Sequence, residues 1–248
     1  MSLELDPREV VVADRMAGVS RLIGVTGSKG GIGKSVVSAT LALAMADVGI
    51  RVGLFDLDFT SPSGHVVLGV DRGFPDEEFG IEPHRVHGIE VMSVAFFSGD
   101  SAVPLRGQVA SSALLELLAI THWGELDVLL LDMPPGLGDT NLDVINLLPG
   151  LEFLLVGNGS RVVIESVARA LQLFVEMNVP LVGLLENMKR GIADSVRDLA
   201  VRYAVPYLGA IPYDDTLEDA LGDVAALRRT DVYRELAVLP ISRPAVGE

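Results

Sequence analysis

A glycine-rich segment, Gly27-Ser28-Lys29-Gly30-Gly31-Ile32-Gly33-Lys34-Ser35, joins an apolar run, Arg21 to Thr26 (RLIGVT), to a stretch rich in Ala, Leu and Val from Lys34 to Val48. A buried strand, a glycine turn and a helix opening on Lys-Ser form the context of a phosphate loop. That context requires a strand and a helix packed side by side, hence an α/β architecture. The chain has three lysines, and two of them, Lys29 and Lys34, stand in this segment; the other 16 basic residues are arginine. Lysine is kept where a compact ammonium meets a phosphate. The glycines let backbone N–H groups close around phosphate oxygens, and the helix N-terminus adds a partial positive charge.

The same alternation continues along the chain. Apolar runs at Arg51 to Phe55, Ile89 to Val94, Asp127 to Leu131, Phe153 to Val156 and Leu181 to Leu185 read as strands. Gln108 to Ile120, Val162 to Met177 and Ile192 to Tyr203 read as helices. Continuous Val, Leu and Ile strands alternating with helices predict a mostly parallel sheet of about seven strands, with helices on both faces. No stretch has linker-like composition, so residues 21–248 are expected to form one domain after an N-terminal extension, 1–20. The segment from Ser61 to His87 holds three of the four histidines among Gly and Pro and is expected to be surface loop.

Bulk properties narrow the partners. A net charge of −15 disfavours nucleic acid and anionic membrane surfaces. There are no cysteines, so this chain alone has no disulfide, no thiolate nucleophile and no cysteine-held zinc or iron–sulfur cluster. No apolar run reaches the roughly 18 to 20 residues that span a bilayer. The first 20 residues lack the unbroken apolar core of a signal peptide. A cytoplasmic protein is expected.

Three segments carry the chemistry. In the loop, Lys34 would bind the β- and γ-phosphates and Ser35 would place its hydroxyl on Mg²⁺. Ser28, Gly30, Gly31, Ile32, Gly33 and Val36 would line the phosphates through the backbone, although Ser28 stands where an ordinary phosphate loop begins with glycine. Lys29 is a second ammonium that costs repulsion unless an anion is bound, so it would reach its own nucleotide or one held by a second subunit. Asp56-Leu57-Asp58-Phe59-Thr60-Ser61-Pro62-Ser63 follows the second strand. Asp58 would orient a water for attack on the γ-phosphate and Asp56 would act through the Mg²⁺ shell; the bland alternative is a pair of capping aspartates. Leu131-Asp132-Met133-Pro134-Pro135-Gly136-Leu137-Gly138-Asp139 follows a run of Leu. Asp132 would hold Mg²⁺ through water, and Gly136 would offer its N–H to the γ-phosphate.

With these residues the chain resembles the deviant Walker A class, the ParA, MinD and Mrp-type ATPases, whose loop carries an extra lysine like Lys29. The resemblance is nearest to the Mrp type, through Leu105-Arg106-Gly107, Trp123-Gly124-Glu125-Leu126-Asp127, Val179-Pro180-Leu181-Val182-Gly183, Glu186-Asn187-Met188 and Gly209-Ala210-Ile211-Pro212-Tyr213-Asp214. It covers roughly residues 20 to 225. It implies ATP or ADP with Mg²⁺, slow hydrolysis and a homodimer in which Lys29 reaches the partner's nucleotide. It also implies that Asn187 faces the adenine and that the stretch with Pro212 and Asp214 lines the base pocket. Val36 stands where relatives commonly carry Thr, so its backbone N–H alone would meet the α-phosphate.

Many Mrp-type proteins share a Cys-x-x-Cys cluster site after Glu-Asn-Met; this chain runs through Lys189, Arg190 and Gly191 instead. The resemblance therefore implies a metallocluster or metalloenzyme assembly factor whose protein partner supplies the thiolates. The alternative is a ParA- or MinD-like regulatory or positioning ATPase unrelated to metal clusters. A small-molecule kinase or ligase is disfavoured by Lys29. His84 and His87 have His-x-x-His spacing but read as loop histidines, and His65 and His122 are isolated. The tail from Leu236 to Glu248, with Pro240, Pro244 and Arg243 as its only basic residue, does not fit a basic membrane helix.

Overall fold

The computed structural model describes residues 6–78, 80–98, 107–136 and 138–242. Leu105, Arg106, Leu137, Arg243 and Pro244 lie outside the described residues. The first half of the chain forms α1 (Pro7–Met16), β1 (Leu22–Gly27), α2 (Lys34–Asp47), β2 (Val52–Asp56), α3 (Gly64–Leu68), β3 (His84–Val86), β4 (Ile89–Ser93), α4 (Ala95–Ser98) and α5 (Gln108–Ile120). The second half forms β5 (Val128–Asp132), α6 (Asp139–Leu147), β6 (Glu152–Gly157), α7 (Arg161–Glu176), β7 (Leu181–Lys189), α8 (Ser195–Tyr203), β8 (Tyr207–Pro212), α9 (Leu217–Ala220), α10 (Val224–Leu227) and α11 (Asp231–Ala237).

Eight strands make one sheet in the order β3-β4-β2-β5-β1-β6-β7-β8, and every pairing is parallel except β3 with β4. This is the expected α/β sheet with one strand more than anticipated. The inner strands β2 and β5 are buried along their whole length. They explain the continuous apolar runs, since helices cover both faces and leave no polar side. Gly53 in β2 allows close packing at one end, where an added Cβ would lie 2.7 Å from the side chain of Leu126.

Several elements depart from the sequence reading. The segment from Ser61 to His87 contains α3 and β3 rather than loop alone, and His65 is buried there. β3 is too short, and too exposed in its middle, to leave an alternating signature. The segment before residue 21 contains α1, which packs on α5. Asp6 caps that helix through Arg8 N–H, Pro7 starts it, and Val12 enters the core. In the other direction, α8 begins at Ser195, and Ile192 stands 97% exposed in the preceding loop. No described helix is long and apolar enough to cross a membrane.

The sheet order decides the site. β1 lies between β5 and β6, and β2 pairs β5 with Asp56 opposite Asp132. The carboxyl ends of β1, β2, β5 and β7 therefore converge, which is where ligands bind in open parallel sheets.

Candidate functional site

The glycine loop leaves β1 at Gly27 and enters α2 at Lys34. Gly33 caps the helix in the left-handed region, φ 78° and ψ 24°, and Gly31 shares that φ. Only glycine adopts this backbone without strain. The inner side of the loop is packed: an added Cβ on Gly33 would collide with the Asn187 amide, and one on Gly27 with Ile32. The outer side is open, with no atom within 4 Å of an added Cβ on Gly30 or Gly31.

Beneath the loop, Lys34 Nζ donates to Asp132 Oδ1 at 2.7 Å, with side chains 7% and 1% exposed. Ser38 Oγ lies 3.1 Å from the same oxygen and donates to the Lys34 carbonyl. Asp132 Oδ2 is buried without a partner. Asp56 stands beside it on β2. Its Oδ1 accepts the Asp58 N–H, and its Oδ2 accepts those of Ser63 and Gly64. Burial and the neighbouring Asp132 nevertheless push Asp56 up to about 7. Two buried carboxylates thus share one ammonium. The site is left with excess negative charge, and the orphaned Asp132 oxygen is a hard acceptor that suits Mg²⁺ directly or through water. The residues present fit that ion.

Asp58 is buried, and its Oδ1 accepts the N–H groups of Thr60 and Ser61. Both aspartates of the Asp-x-Asp pair therefore organise the loop leading into α3. Gly136, at φ 87°, donates its N–H to the Gly27 carbonyl at 2.8 Å, so the donor expected to meet the γ-phosphate is engaged elsewhere here. Asn141, 1% exposed, holds that loop by donating to the Gly136 carbonyl at 2.9 Å. Sequence reading passed over Asn141; the only signal was a short polar residue in the first turn of α6.

Asn187 is 4% exposed and donates through Nδ2 to the Ile32 carbonyl at 2.8 Å. Pro212 closes β8. Asp214 accepts from Thr216 and from the Asp231 N–H at the start of α11, and the Thr216 bond holds its carboxyl below the ordinary value. Its oxygens tie chain segments together. Lys29 is exposed and makes no hydrogen bond or ion pair with the described residues. Ser35 and Val36 are partly buried in the first turn of α2, and the Ser28 hydroxyl is buried without a partner. The histidines do not gather: His84 and His87 bond backbone carbonyls, and His65 bonds Arg72. Among the described residues no three His, Asp or Glu side chains form a metal cluster.

A parallel sheet whose central strand feeds a glycine loop, with a buried lysine and an acidic tip on the next strand, defines a nucleotide-binding P-loop ATPase. The chain matches the family described as ParA, NUBPL iron-transfer P-loop NTPase, over residues 18–233, and belongs to it. It is 32% identical to an iron–sulfur cluster carrier protein of Pseudomonas fragi, over 90% of this chain and 86% of that one. It is 34% identical to one from Aquifex aeolicus, over 81% of this chain but 59% of that longer protein. Among solved structures it resembles a nucleotide-binding protein from Archaeoglobus fulgidus in complex with ADP. The TM-score is 0.73 and the identity 28%, covering 89% of this chain and 93% of that one.

Proposed function

We propose that this chain is a homodimeric, slowly turning-over Mg·ATPase that assists metallocluster or metalloenzyme assembly, with a partner protein supplying the cluster thiolates. The observation that carries the ATPase reading is the buried Lys34–Asp132 pair, with its orphaned carboxylate oxygen, beneath an open glycine loop. The carrier relatives support the assembly role.

In this reading the loop amides from Ser28 to Val36 orient the phosphates. Lys34 exchanges Asp132 for phosphate oxygens. Lys29, which bonds none of the described residues, meets the nucleotide of the second subunit. Ser35, and through water Asp56 and Asp132, would hold Mg²⁺, which when bound would supply charge neutralisation at the phosphates. One Asp58 oxygen is committed to its turn, and the other orients the attacking water. Hydrolysis adds that water to the γ-phosphorus and breaks the bond to the β-phosphate oxygen, releasing ADP and phosphate. Asn187 favours adenine. Its Nδ2 faces a carbonyl, so the oxygen remaining to it is an acceptor, which suits the adenine amino group and opposes the guanine carbonyl.

The test combines nucleotide titration with anaerobic iron–sulfur reconstitution. ADP should bind at least about tenfold more tightly than GDP, a difference of about 1.4 kcal/mol. Cluster uptake should occur only in the presence of a cysteine-bearing partner. The cysteine-free sequence favours a second reading, a regulatory or positioning switch. Indifference to iron with every cysteine-bearing partner would replace the assembly role with that one.

A further inference from the structure

The chain's remaining lysine, Lys189, ends β7 with its side chain 20% exposed. Its Nζ donates to Glu186 Oε2 at 3.2 Å and to Asp194 Oδ1, just before α8, at 2.9 Å. Glu186 is buried, and the same oxygen accepts the Tyr207 hydroxyl from β8 at 3.0 Å. Asn187 and Met188 lie between the two bridged residues.

Met188 holds φ at 55°, in the left-handed region that non-glycine residues seldom enter. The β7–β8 register slips at the same place. The turn carries Asn187 onto the Ile32 carbonyl and sets Met188 Cε 3.1 Å from where a Cβ on Gly33 would stand. A strained turn at the end of one strand thus forms the inner support of the phosphate loop. Such strain persists only where the surroundings over-determine it. The Glu186–Lys189 bridge spans the turn, Tyr207 fixes its buried end, and Asp194 fixes its outer end.

We propose that Glu186, Lys189 and Tyr207 form a clamp that positions Asn187 under the phosphate loop and so sets how tightly the loop holds nucleotide. The affinity part rests on the nucleotide reading above. Lys189 touches no phosphate; it is a positioning residue that acts through Asn187. With the clamp open, Met188 is free to return to extended backbone, Asn187 leaves Ile32, and the loop loses its inner support.

Lys189→Met removes both ion pairs and keeps an apolar stem; Lys189→Arg restores the charge. The readouts are the Michaelis constant and turnover for ATP, and amide hydrogen exchange at residues 30–35 and 187–189 without nucleotide. Lys189→Met should raise KM about tenfold with kcat nearly unchanged, as loss of uniform binding predicts. It should speed exchange in both segments and leave β1 unaltered, and Lys189→Arg should recover most of each effect. If Lys189→Met does not fold, Tyr207→Phe, which removes one hydroxyl, should shift the same readouts the same way but less. A lowered melting temperature with unchanged loop exchange and KM would overturn the clamp, as would a loss confined to kcat. If the wild type binds no nucleotide, the nucleotide reading fails, and loop exchange alone decides the clamp.

Discussion

The two loop lysines separate cleanly once their surroundings are known. Lys34 is buried against Asp132, while Lys29 stands in solvent. Lys34→Ala should abolish ADP binding in calorimetry. It should also destabilise the nucleotide-free protein by about 3 kcal/mol, because it strands a buried carboxylate. Lys29→Ala should leave melting temperature and monomer affinity unchanged and suppress dimerisation and turnover; unaltered turnover would remove Lys29 from the site. Asp56 gives a pH signature. An acid whose folded-state pKa, about 7, lies above its ordinary value of 3.8 binds more protons folded than unfolded. Its contribution to stability is therefore fully present below about pH 4 and is lost as pH rises to about 7. Melting temperatures of the wild type and Asp56→Asn, compared across that window, should show the wild type falling relative to the variant. At this scale the sequence showed which aspartates stand at strand tips, because strand tips are local features. It did not show that Asp56 faces Asp132, since that depends on which strands become neighbours.

At the level of elements, the loop works because β1, α2 and the end of β7 meet at Gly33. Gly33→Ala places a Cβ against the Asn187 amide at a φ of 78°. It should cost about 1 to 3 kcal/mol of stability and weaken ADP binding with it. A chemical denaturation curve indistinguishable from wild type would contradict the packing described here. Asn141 has a similar office for the Pro134–Gly136 loop, which it holds by the Gly136 carbonyl. The long elements were legible because their apolar runs exceed any competing signal. α1 was less so: of its Val10-Val11-Val12 run only Val12 is buried, so its core-facing stripe is narrow. Its Asp6-Pro7 start, which caps it in the structure, was not part of the sequence reading. β3 was not legible at all, because three residues on a sheet edge carry no period.

For the whole molecule the dominant fact is charge. Two copies at −15 each repel, and the repulsion between their exposed surfaces is screened by salt. A Lys29–phosphate contact enclosed at the interface is screened much less. The proposed ATP-bound dimer should therefore tighten as ionic strength rises from about 0.01 to 0.15 M, where the Debye length shortens from about 30 to 8 Å. Sedimentation with a non-hydrolysable ATP analogue measures this, and monotonic weakening would argue against a dimer closed over Lys29. By itself the sequence determined the class of fold, the phosphate loop and the acidic strand tips. The loop and the strand tips are written in short consecutive segments, where periodicity and turn chemistry act, and the class of fold in their repeated alternation along the chain. Tertiary structure alone decided how those parts are wired. It put Asp56 beside Asp132, gave the Gly136 N–H to Gly27, tied Asp214 to α11 and drew Asn187 beneath Ile32 across 155 residues. These contacts follow from the order in which strands join the sheet. That order is set by packing among distant segments, which no local pattern records.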